Sequence, residues 1–94
     1  MIVRIVKLTI APGNEALFEA LFKETAVHIR RFPGCLDVQL LKSAAGVYFT
    51  LSRWRSEAAL ESYRASPLFQ KTWPRVKALM AGRAEAWTTY PVWE

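Results

Sequence analysis

The chain opens on MIVRIVKLTI, a β-branched run in which Val6, Leu8 and Ile10 share one face of a strand while Val3 and Ile5 share the other. Both faces therefore need cover. Ala11-Pro12-Gly13-Asn14 breaks the strand, and Asn14 or Gly13 is placed to cap a helix reaching about Phe32. Glu15 and Glu19 lie near the positive end of that helix dipole, and Arg30 and Arg31 near the negative end. Its apolar stripe is Phe18, Leu21, Phe22, Thr25 and Ile29, and Pro33-Gly34 stops it. Cys35 to Lys42 then alternates, with Leu36, Val38 and Leu40 on one face and Asp37 and Gln39 on the other. Ser43 to Gly46 is a hairpin-length connector. In the antiparallel strand that follows, Val47 to Trp54, Val47, Phe49 and Leu51 oppose Tyr48, Thr50, Ser52 and Trp54.

Ser56 caps a short helix ending near Arg64-Ala65, and Ser66-Pro67 starts another, because Ser is a favoured cap and Pro is tolerated at the first helical position. Phe69, Trp73, Val76 and Met80 carry its stripe to about residue 81, and Pro74 should kink or divide it. Beyond Gly82, Ala84 to Tyr90 forms a last strand with Trp87 on one face and Ala86, Thr88 and Tyr90 on the other. The order is β-α-β-β-α-β, an α+β, ferredoxin-like arrangement: a four-stranded antiparallel sheet with helices on one face. No linker or repeat interrupts it, and residues 1–94 read as a single domain. The uncovered face would still hold Val3, Ile5, Val47, Phe49 and Leu51, so a second copy of the sheet is the economical cover and a homodimer is expected.

Composition narrows the function. An apolar fraction of 52% with 22% charged residues places the chain among folded globular domains. The net charge of +5 would suit an anionic polymer if the basic residues clustered, but only Arg30-Arg31 and the Arg53/Arg55 pair come close together. One cysteine, Cys35, cannot close an internal disulfide and fits a reducing, cytoplasmic setting. Charges interrupt every apolar run well before 18 residues, so neither a membrane span nor a secretory leader is expected.

Phe32-Pro33-Gly34-Cys35 after the first helix, a strand ending in Trp54 before Ser56-Glu57, then Tyr63-Arg64-Ala65-Ser66 and Leu68-Phe69, resemble the antibiotic biosynthesis monooxygenase (ABM) domain of the dimeric α+β barrel superfamily. The resemblance spans nearly the whole chain. It implies a small cytoplasmic homodimer with sheets back to back, and an activity among cofactor-independent oxygenases of aromatic polyketides or quinols, haem degraders and a few isomerase-like or signal-processing members. By the same resemblance, Trp54 corresponds to the tryptophan that oxygenase members place in the cavity between sheet and helices. The asparagine that such members carry on a strand has no counterpart, since the only asparagine is Asn14 in the first loop. Residues 56–80 also lack the axial histidine of haem degraders.

Read as chemistry, Trp54 serves either as a core anchor or as a wall of a ligand site, and Tyr63, Tyr48, Phe69 and Trp73 present the same choice. Phe22 and Thr25 face the same space from the first helix. His28 is the only histidine and the only side chain whose ordinary pKa suits acid-base work near neutrality. It lies about 60° from the middle of the helix stripe, at the boundary of a pocket where a neutral imidazole could take a proton from a quinol. Electron-rich substrate anions pass an electron to O2, so a base and an apolar cleft are the least that such chemistry needs. Arg53, Arg55 and Arg64 offer contacts for an anionic or carbonyl group. One His and one Cys do not make a zinc site, and no glycine-rich phosphate loop exists, so no flavin, haem or metal is expected. The RNA-recognition fold shares this element order, yet Ala45 to Ser52 lacks its basic start and alternating aromatics, and nucleic acid is not expected as a partner. The reading is a cofactor-independent monooxygenase acting on a small aromatic, quinol-type molecule, with a non-catalytic small-molecule-binding protein as the alternative.

Overall fold

A computed structural model describes residues 1–94. The elements are β1 (Ile2–Thr9), α1 (Glu15–Arg30), β2 (Cys35–Ala44), β3 (Val47–Trp54), α2 (Glu57–Arg64), α3 (Pro67–Lys77) and β4 (Glu85–Thr89). The strands form one antiparallel sheet in the order β2-β3-β1-β4, so α1 carries the chain across β3's place and the helices lie on one face. Antiparallel pairing sets Ile2 opposite Trp54, Arg4 opposite Ser52, Val6 opposite Thr50 and Leu8 opposite Tyr48. These side chains face the helices, as the alternation predicts.

Local chemistry explains the boundaries. Ser56 accepts from the Ala59 N–H at 3.1 Å and Ser66 from the Phe69 N–H at 3.3 Å, the two caps expected. Asn14 stands at the N-cap of α1 without capping it; its amide donates instead to the Leu79 carbonyl at 3.4 Å. The first-turn acids are likewise spent on tertiary contacts. Glu15 accepts from the Gly46 N–H at 2.7 Å and pairs with Lys42 at 2.9 Å, while Glu19 accepts from the Tyr48 hydroxyl. The β2–β3 connector shrinks to Ala45-Gly46, because β2 runs on to Ala44 past an irregularity between Lys42 and Ala44. Pro74 does not divide α3. Its missing N–H strands only the carbonyl of Gln70, an exposed residue, so the helix continues to Lys77.

The core is in two parts. One packs Ile2, Ile29, Val38, Trp54 and Leu60, and the other Leu8, Ile10, Phe18 and Tyr48. Along β3 the helix-facing positions run Tyr48, Thr50, Ser52, Trp54: large, small, small, large. Beside the small pair lie Val6 and Arg4 of β1, then Ala86 and Thr88 of β4. Short side chains in the middle of the floor leave α3 without a fully buried residue above them. The opposite face of the sheet carries Val3, Ile5, Leu41, Phe49, Leu51 and Trp87, with Leu41 and Trp87 about half exposed at 48% and 44%.

Candidate active site

The space between the two core clusters is a cavity of about 380 Å³, within the ~300–1,000 Å³ range of small-molecule sites. Fourteen of its 20 lining residues are hydrophobic. One wall is a run of aromatic rings: Trp54 stacks on Tyr63 with centroids 5.0 Å apart, Tyr63 meets Phe69 edge-on at 5.4 Å, and Phe69 stacks on Trp73 at 6.1 Å. Phe22 and Thr25 line it from α1. The Thr25 hydroxyl is turned back on its own helix, donating to the Leu21 carbonyl at 3.0 Å, so it offers the cavity little polarity.

Trp54 is buried, and its indole N–H donates to the Ser52 hydroxyl at 2.9 Å. The Tyr63 hydroxyl makes no hydrogen bond within the protein. Burial, with a smaller contribution from Cys35, pushes its pKa up to about 12 and keeps it a neutral donor. Arg4 projects from the floor between Ser52 and Thr88 and donates to the Thr88 hydroxyl at 2.7 Å. Arg64 lines the same cavity from the end of α2 and pairs with Glu61 at 3.2 Å. No group of three or more His, Cys, Asp or Glu side chains comes together in a way that could hold a metal ion.

Trp54, Tyr63, Phe22, Thr25, Phe69 and Trp73 are thus brought together, and two expected residues are not. His28 is exposed and outside the cavity lining. On α1 it falls about 60° to one side of Thr25 and Ala26 about 100° to the other. The helix buries the Ala26 side, which rolls the imidazole into solvent. Tyr48 also stays out of the cavity. It is fully buried in the second core cluster, edge-on to Phe18 at 4.9 Å, with its hydroxyl given to Glu19 and Glu15. Of the three arginines considered, only Arg64 reaches the cavity: Arg55 is exposed, and Arg53 lies on the opposite sheet face beside the C-terminal Tyr90 and Trp93. Arg4 escaped the sequence reading although its signal was present, a guanidinium at a helix-facing position between Ile2 and Val6.

A sheet-and-helix cavity walled by tryptophan and tyrosine narrows the kinship, and the family model for "antibiotic biosynthesis monooxygenase" matches residues 1–75. The chain belongs to the ABM family. Among solved structures, a Caulobacter crescentus CB15 protein described by the same family name is 29% identical, covering 97% of this chain and 89% of that one with a TM-score of 0.90. A Bordetella bronchiseptica protein under that name is 26% identical, covering 98% and 97% with a TM-score of 0.89. SnoaB from Streptomyces nogalater, a cofactor-independent oxygenase, is 22% identical, covering 99% and 94% with a TM-score of 0.89, and shares the fold. No protein of curated function matches the chain. The ABM match takes in β1 to most of α3, and with them Arg4, Trp54, Tyr63 and Trp73.

Proposed function

We propose that this ABM-family protein is a cofactor-independent monooxygenase of a small aromatic, quinol-type molecule and that it works as a homodimer. The observation that carries the reading is the apolar cavity walled by stacked aromatic rings, which suits a flat, electron-rich substrate screened from water. In such chemistry the substrate loses a proton and its anion passes one electron to O2. The radical pair closes a C–O bond, protonation gives a hydroperoxide, and loss of water leaves one oxygen atom in the product. The substrate supplies every electron. In this reading Tyr63, held neutral, donates a hydrogen bond to developing charge on oxygen.

One observation favours a second reading. With His28 in solvent, the cavity contains no side chain of near-neutral ordinary pKa to act as base, which suits a protein that binds the aromatic molecule without turning it over. Oxygen uptake with a panel of aromatic quinols separates the two. Turnover dependent on Trp54 supports the oxygenase, whereas binding without oxygen uptake above the uncatalysed rate supports the binding protein.

The dimer rests on the face carrying Val3, Ile5, Leu41, Phe49, Leu51 and Trp87, an apolar patch that a second copy would cover symmetrically. Light scattering should return about twice the 10.7 kDa chain mass; a 10.7 kDa species at micromolar concentration refutes it.

A further inference from the structure

The two charged side chains of the cavity are both cations. Arg4 and Arg64 line it, and no aspartate or glutamate does. Arg4 is the more telling, because it occupies a position where the strand otherwise places Ile2, Val6 and Leu8 against the helices. A guanidinium partly withdrawn from water on an otherwise apolar strand face is better accommodated where an opposite charge meets it. Arg4 has no such partner: its one hydrogen bond goes to a neutral hydroxyl, and none of the four ion pairs of the protein includes it. Burial and the neighbouring Arg64 charge act in the same direction, both disfavouring its charged form, and the smaller influence of Glu61 opposes them. Glu61 itself is engaged with Arg64 on the exposed side of α2. A fork of N–H donors therefore faces the cavity with most of its capacity unused.

We propose that the cavity selects aromatic molecules bearing an anionic oxygen group, carboxylate or ionised phenol, with that group held at Arg4 and Arg64 and the ring against the wall of Trp54, Tyr63, Phe69 and Trp73. This rests on the cavity being the ligand site and adds its charge preference. A planar guanidinium matches the two oxygens of a carboxylate in a way that a point charge does not. For a phenol, the same two cations favour the anion, so the site takes up the molecule already ionised, its proton lost to bulk water before it is enclosed. That makes the absence of histidine from the cavity consistent with substrate ionisation.

The test is calorimetric titration with 2-naphthoate and its neutral counterpart 2-naphthamide, which share a ring system and differ in charge. At low salt the carboxylate should bind about tenfold or more tightly than the amide, the range expected for a charge-assisted hydrogen bond. Arg4→Met should abolish that preference while leaving amide affinity within about twofold, and Arg64→Met should reduce it less, its side chain being 43% exposed. Arg4→Lys should keep part of it. With 4-nitrophenol, a lower pKa when bound, read from the absorbance of the ionised form and abolished by Arg4→Met, assigns the ionised phenol as a ligand too; an unchanged pKa confines the site to carboxylates. Equal affinity for naphthoate and naphthamide overturns the charge preference and leaves the cavity a ligand site. A preference that survives both Arg→Met variants overturns the assignment to these two residues. Binding of neither probe overturns the cavity reading along with it. Should Arg4→Met also lose the amide, Arg4→Lys and Arg64→Met decide, since neither removes a charge from the floor of the sheet.

Discussion

Gly34 sits where two constraints coincide, and they can be separated. Its φ of +86° lies in the left-handed region that L side chains avoid, and a Cβ built there would approach the Ala59 Cβ to 2.5 Å. The turn is also held by the Arg55 N–H donating to the Gly34 carbonyl at 2.8 Å, so the backbone has little room to retreat. Gly34→Ala should then cost about 1–2 kcal/mol for the left-handed conformation and about 1–3 kcal/mol more for the overpacked contact with α2. Ala59→Gly alone should cost about 1 kcal/mol in helix propensity. The double variant relieves the clash and keeps the φ strain, so it should be more stable than the sum of the single changes by about 1–3 kcal/mol. Urea denaturation of all four proteins, at one concentration so that any dimer contributes equally, measures that coupling. Additive behaviour within 0.5 kcal/mol, or a Gly34→Ala loss below about 1 kcal/mol, would refute the geometric reasoning.

Trp54→Ala removes a buried indole stacked on Tyr63 and should cost about 3–5 kcal/mol, whereas Trp93→Ala, at a residue 90% exposed, should stay within about 0.5 kcal/mol in thermal unfolding. Tyr48, pushed up to about 12 by burial and by Glu19, has a folded pKa above its unfolded value of about 10. The stability from its neutral phenol is therefore complete below pH ~10 and drains away as pH rises toward 12, and Tyr48→Phe should flatten that alkaline decline in unfolding curves. If a quinol is accepted, His28→Ala should leave its turnover within about twofold, because the imidazole lies outside the cavity; a hundredfold loss would return His28 to the mechanism.

How much of this was legible beforehand depended on the range of each cause. Period-2 alternation gave each face of β1 and β3 correctly, because a strand residue has only two ways to point. The serine caps were legible for the same reason: Ser56 and Ser66 act three residues down the chain. The position of His28 turned on a roll of α1 set by which helix flank meets the sheet, and a residue at the edge of a stripe is where a small roll changes the outcome. Tyr48 was hidden by distance along the chain, since the carboxylates that claim its hydroxyl lie some thirty positions upstream. Arg4 was overlooked because its apolar neighbours dominate the pattern, although charge on a face otherwise committed to packing is itself a signal.

The lack of a fully buried residue in α3 has a thermodynamic meaning. A helix lying over a cavity instead of packed core makes fewer dispersion contacts with protein on its inner side, so its opening requires less free energy than that of α1, which buries five side chains. An occupant of the right shape would stand where core side chains stand elsewhere, restoring those contacts through molecules rather than residues. A ligand bound there would add to the stability of the roof, the more so the more tightly it binds, and the contacts that recognise it would also hold Phe69 and Trp73 in place.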